Sequence, residues 1–199
     1  HLPDFILQSN LKGLTKMKHR IKTIKIPDEW VLSMGKGVTV AVIDSYAGNV
    51  NVPNISKKYI KTNGIYHGVH CLSVCEIISR VAPMCEIIVS QAMNEKTGTY
   101  FGLISAIDNL KHDNFDIVNF SLSTREDKQE IRKRMVELSN RSIVIASMAN
   151  DGSKSYPAEY DNVISVSSFK KSNIEADIYC DDSFMFGDDN IKKTGNSMS

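Results

Sequence analysis

A chain of 199 residues, 42% apolar and 24% charged, is long enough for one domain with a sizeable buried core. A net charge of +1 excludes a nucleic-acid binder held by a broad basic field. No apolar run approaches the ~18 residues of a membrane span, so neither nucleic acid nor membrane is an expected partner.

Residues 1–25 hold six Lys or Arg against one acid in a mixed pattern. They read as a basic N-terminal arm or the remnant of a removed segment, and no apolar run behind a basic head marks a secretory signal. The texture changes at Lys36. Val38 to Ile43 is a near-continuous β-branched run behind a glycine, which predicts a strand buried on both faces. A helix follows over 67–80, with Val74, Ile77, Ile78 and Val81 on one side. Cys71 and Cys75 lie about one turn apart in that pattern and are expected as buried free thiols. With Cys85 and Cys180 they need not form disulfides, and this usage leans toward a reducing, cytoplasmic setting.

Strand texture returns at Cys85–Met93, Phe115–Leu122, Ser142–Met148 and Asn162–Ser168. Between these runs, Phe101, Ile104, Ile107 and Leu110 mark one helix. Ile131, Met135 and Leu138 mark another over 125–140, whose charged run REDKQEIRKR reads as a solvated face. Apolar strands alternating with helices imply an α/β fold around a mostly parallel sheet. In such sheets, functional groups gather beyond the carboxyl ends of the strands.

Asp44 ends the first strand, where it serves equally well as a turn cap or as a site residue. Asn150 stands at the equivalent end of another strand, within the turn signal Asn-Asp-Gly. His67 opens His-Gly-Val-His-Cys at the start of a helix, with Gly68 allowing close approach. Two histidines followed by Cys71 and Cys75 also have the composition of a zinc site, but apolar neighbours turn the cysteines toward the core. No metal ligand is assigned and no cofactor is expected. Ser197 alone is a turn residue. A nucleotide-binding reading lacks both G-x-G-x-x-G and a phosphate loop.

Together these residues resemble the subtilase family from about Ile24 to Ser199. Val38-Thr-Val-Ala-Val-Ile-Asp-Ser45 is similar to its aspartate strand, and His67-Gly-Val-His-Cys71 to its histidine box in the proteinase-K-like branch. Asp116 to Ser123 resembles its substrate-binding strand, Ala146 to Gly152 its oxyanion segment, Tyr156 to Val166 a structural strand, and Gly195-Asn-Ser-Met198 its nucleophile box. The chain order Asp44, His67, Ser197 is that of subtilisins.

The resemblance implies a three-layer subtilisin-like fold over 26–199 and a serine endopeptidase acting on peptide or protein substrates. Ser197 is then the nucleophile, His67 the general base and Asp44 its orienting carboxylate. Asn150 donates to the oxyanion beside the Ser197 N–H. By the same analogy Ser121, Leu122 and Ser123 on one side, with Gly98 and Tyr100 on the other, pair with an extended peptide, and Ala149 lines the first specificity pocket. Small cytoplasmic subtilases that trim peptide precursors, such as lantibiotic leaders, are a fitting setting. Structural calcium is admitted by the resemblance, with no ligand set readable here.

Val69, Ala149, Ser123 and Asn196 depart from the usual residues without deleting a catalytic group. Ala149 and Ser123 each add a Cβ near the groove, which is expected to narrow or reshape it. The resemblance also implies that the long helix behind the nucleophile, and an inhibitory prosegment, are missing from these residues. Sheet residues are then expected to face water. The alternative function is a catalytically silent peptide-binding scaffold of the same fold.

Overall fold

A computed structural model describes residues 32–45, 54–59, 70–93, 98–168, 176–180, 184–186 and 191–193. The basic arm, His67, Val69, Asn196 and Ser197 lie outside the described residues. Strand β1 (Thr39–Asp44) is followed by β2 (Ile55–Tyr59), helix α1 (His70–Val81), β3 (Glu86–Gln91), α2 (Tyr100–Asn109), β4 (Ile117–Phe120) and α3 (Gln129–Ser139). Next come β5 (Ile143–Ser147), β6 (Ile164–Ser168) and β7 (Ile178–Cys180), then a hairpin of β8 (Phe184–Phe186) and β9 (Ile191–Lys193). The main sheet has seven strands in the order β2-β3-β1-β4-β5-β6-β7, and every neighbouring pair is parallel. The hairpin is antiparallel.

Alternation along β1 produces the layers. Ala41 and Ile43 enter one apolar cluster with Leu103, Ala106 and Ile107 of α2 and Ile131, Met135 and Leu138 of α3. Val40 and Val42 enter the other with Cys71, Leu72, Val74 and Cys75 of α1. The sheet therefore lies between α1 on one face and α2 with α3 on the other. A strand buried on both faces cannot alternate with polar residues, and this is why β1 reads as an unbroken apolar run. Cys71 and Cys75 are buried free thiols as expected; Cys85 is a third, and burial pushes its thiol up.

Three details differ from the sequence expectation. Phe101 is 79% exposed, because α2 turns Leu103, Ala106 and Ile107 inward instead. Val81, at the last turn of α1, is also exposed. Strand β2 was not anticipated, since Ile55-Ser-Lys-Lys-Tyr59 sits at the sheet edge and carries the lysines typical of an edge. Ile143, the first residue of β5, is 53% exposed.

The turn into β1 depends on Gly35, at φ +75°, where a side chain would also meet Ala82 Cβ at 2.7 Å. Helix α2 begins with Thr99 accepting from Gly102 N at 3.0 Å. It is tied to α3 by Arg134, whose Nε and Nη2 reach the two oxygens of Asp108 at 2.9 and 3.0 Å. That guanidinium, with Lys111 beside it, holds the Asp108 carboxyl at about 2.

A depressed carboxyl contributes stability that is present above its unfolded value and lost as the pH falls through its folded one. Arg134→Met is expected to cost about 1 kcal/mol at neutral pH, discounted because Asp108 is a third exposed. Denaturant titrations should show this difference shrinking between about pH 4 and about pH 2. Gly102→Ala gives a second check. Replacing a helical glycine usually stabilises by roughly 0.5–1 kcal/mol, but here the new Cβ would stand 2.3 Å from Ala92 O. The expected outcome is a lower urea midpoint and a loss of about 1–3 kcal/mol.

Candidate active site

The carboxyl ends of adjacent strands bring the candidate residues together. Register pairs Ile43 with Phe120 and Phe120 with Ala146, so Asp44, Ser121 and Ser147 follow at one level of β1, β4 and β5. Asp44 also pairs with Gln91 of β3, and its carbonyl accepts from Ala92 N at 2.8 Å.

Asp44 has 0% exposure. A carboxylate so buried survives ionised only when hydrogen bonds replace water. The Ser45 N–H donates to Oδ1. An imidazole Nδ1 stands 2.9 Å from Oδ1 and 3.0 Å from Oδ2, and it belongs to His70, the first residue of α1. Nδ1–H donation to the carboxylate leaves Nε2 of the neutral ring as an acceptor. The carboxylate thus orients the His70 ring. His67, expected from the resemblance as the base, lies outside the described residues; His70 stands three residues on in the same His-Gly-Val-His box.

Asn150 is exposed in the turn after β5. The approach to it is anchored on both sides: Met148 N donates to Val166 O at 2.9 Å, and Ala149 N to the buried Ser155 Oγ at 2.9 Å. Ser121 is buried, its N–H donating to Ile43 O and its Oγ accepting from Asn119 Nδ2 at 2.7 Å.

Gly98, Tyr100, Leu122 and Ser123 line one cavity of about 270 Å³. Ala92, Leu103, Leu122 and Ile131 give it an apolar floor. Tyr100 donates from its rim to Glu130 Oε2 at 2.9 Å, and desolvation together with that acceptor pushes the phenol up. Ser121 and Ala149 are not among the lining residues. Among the described residues no group of three or more His, Cys, Asp or Glu could hold a metal ion, and no helix is long and apolar enough to cross a membrane.

The family model of the subtilases matches residues 35–190. The chain belongs to the subtilase family. Thermitase from Thermoactinomyces vulgaris is 23% identical over 167 residues, covering 73% of this chain and 60% of thermitase. A lanthipeptide protease superposes with a TM-score of 0.61 at 20% identity, covering 80% of this chain and 60% of that one. The prenylagaramide maturation protease PagA superposes at 0.69 and 18% identity, covering 86% and 74%. At these identities the likeness establishes the subtilisin-like α/β fold. The chain spans 60% of the length of thermitase.

In this subtilase the 148–150 segment is tied to Ser155 through the Ala149 N–H. Ser155→Ala leaves the Ala149 N–H without its acceptor, at an expected cost of about 1–3 kcal/mol. Calorimetry should show a lowered Tm, and an unchanged Tm would mean that the 148–150 segment is held by other means.

Proposed function

We propose that this subtilase is the catalytic part of a serine endopeptidase that processes peptide precursors, with Asp44, His67 and Ser197 as its triad and Asn150 as an oxyanion donor. The observation that carries the reading is the buried Asp44 carboxylate at the strand ends, bonded to Nδ1 of His70, the second histidine of the His67-Gly-Val-His70 box, close to a cleft of about 270 Å³. Family membership and the chain order of Asp44, His67 and Ser197 support the assignment of each role.

A neutral hydroxyl is a weak nucleophile. Ser197 Oγ attacks the scissile carbonyl while His67 takes its proton, later delivering it to the leaving amine. Asp44 stays ionised, holding the ring tautomer and stabilising the imidazolium. Charge develops on the carbonyl oxygen, where the Asn150 amide and the Ser197 N–H donate. Substrate lies extended between Gly98–Tyr100 and Ser121–Ser123, with Ala149 on the first specificity pocket and one bulky apolar side chain in the 270 Å³ cleft. The two structural neighbours are a lanthipeptide protease and a prenylagaramide maturation protease, which supports peptide precursors as the substrate class.

A fluorophosphonate probe on the full-length protein tests this reading. Labelling should map to Ser197 by mass spectrometry and vanish in Ser197→Ala. Asn150→Ala should lower kcat by about 10²–10³ with little change in KM, a magnitude known from subtilisin itself. Peptide binding that survives Ser197→Ala, with no cleavage and no labelling of the folded wild type, would instead mark a silent scaffold.

A further inference from the structure

Asn150 sits in a tight turn. Gly152, at φ +79°, donates to Ala149 O at 3.1 Å, so Asn150 and Asp151 are its two central residues. Asp151 Oδ1 accepts from Ser153 N at 3.0 Å and Ser153 Oγ at 2.6 Å, bonds that stay within the loop. Its Oδ2 meets Arg125 Nη2 at 2.5 Å, across a separation of 26 residues. Ser153 first, and Arg125 with it, hold the Asp151 carboxyl below the usual carboxylate range, so the contact joins two charges at neutral pH.

Arg125 lies just beyond the exit of β4. Thr124, the residue before it, exchanges two backbone bonds with Tyr156, at 2.9 and 2.8 Å. Ser155, next to Tyr156, holds Ala149 N. The links Thr124–Tyr156, Ser155–Ala149 and Asp151–Arg125 therefore make a closed ring that joins the exits of β4 and β5. Only the third link is made of side chains alone, and they are 76% and 53% exposed. An exposed ion pair adds little to folding, so what this one does is done through geometry.

We infer that Arg125 and Asp151 are a positioning pair for Asn150: their bond closes the ring and fixes the direction in which the turn presents the Asn150 side chain. The inference rests on the oxyanion role proposed above for Asn150. Without the bond, Asp151 keeps its Ser153 contacts, so the turn keeps its shape and swings as a unit about its Ala149 anchor. A donor that must be brought back into line costs rate in the transition state and leaves ground-state binding intact, so the effect belongs in kcat.

The test uses the full-length protein and a cleavable peptide, with fluorophosphonate labelling as the control for the protease reading. Arg125→Met and Asp151→Asn should each lower kcat by about three- to fivefold, the most an exposed ion pair shifts a population, with KM within about twofold of wild type. The double variant should be no slower than either single one, because both break the same bond. Arg125→Lys should restore most of the rate, since a single contact asks for a point charge and not a fork. In an Asn150→Ala background no amide is left to aim, and Arg125→Met should then change kcat by less than about twofold. Each variant should lose no more than about 2–4 °C in Tm.

Wild-type kcat in Arg125→Met overturns the inference and leaves the protease in place. An undiminished loss in the Asn150→Ala background also overturns it, putting Arg125 to work on the cleft lip at Ser123 and Thr124 instead. A loss confined to KM, or one that Arg125→Lys does not restore, overturns it as well. Rates that track larger falls in Tm overturn it in favour of a packing role. Absence of labelling in folded wild type removes the protease reading itself, and the inference with it.

Discussion

A carboxyl group with no exposed surface is the constraint on which this molecule turns. Losing water costs a charged group several kcal/mol unless hydrogen bonds replace it. Asp44 receives them from the Ser45 N–H and the His70 ring. Those donors reach it because β1 is central, with β3 on one side and β4 on the other, and because both faces of β1 are sealed by separate apolar clusters. A shift of β1 by one residue would exchange its faces and turn Asp44 away from α1. Core packing thus sets the register, and register aims the carboxylate.

The same topology explains why residues remote in sequence share one surface. Parallel strands all end on one side, so Asp44, Ser121 and the 148–150 segment project from β1, β4 and β5 at one edge. The cleft is a product of helix docking. Tyr100 and Leu103 of α2 and Ile131 of α3 form its walls, and the distance between these helices is held by Arg134 on Asp108 and by Tyr100 on Glu130. Both links are charged or charge-assisted, yet partly exposed, so each contributes modest energy and mainly geometry.

Much of this was legible before any coordinates. β1 and β3 read correctly because burial on both faces leaves an unmistakable apolar run, and α3 because Ile131, Met135 and Leu138 are buried on an otherwise charged helix. α2 misled at Phe101, since its inward face needs only Leu103, Ala106, Ile107 and Leu110, and a single aromatic beside them satisfies the same period. β2, with two lysines, and the three-residue strands β7, β8 and β9 carry too little apolar signal to register. In the site, the end of an apolar strand marked Asp44 as a candidate, and the structure places it buried there. That the His70 ring reaches this carboxylate was beyond spacing alone, because it depends on where the helix starts, a tertiary fact set by the packing of Cys71 and Cys75 against β1 and β3.

The departures in the groove acquire a physical sense from the same geometry. Ser123 lines the cleft, where its Cβ and hydroxyl narrow and polarise one lip above an apolar floor. Ala149 does not line that cleft; its backbone N–H is committed to Ser155, a residue with no exposed surface. A glycine at 149 would leave the backbone before Asn150 freer to adopt other conformations. The alanine and the buried hydroxyl both restrict it, so the two changes act on different quantities. Ser123 reshapes the cleft, and Ala149 stiffens the segment that carries Asn150. Under the proposed function this stiffness has a use, because an oxyanion donor gains most from being fixed before charge develops, when reorientation costs nothing at the moment of reaction.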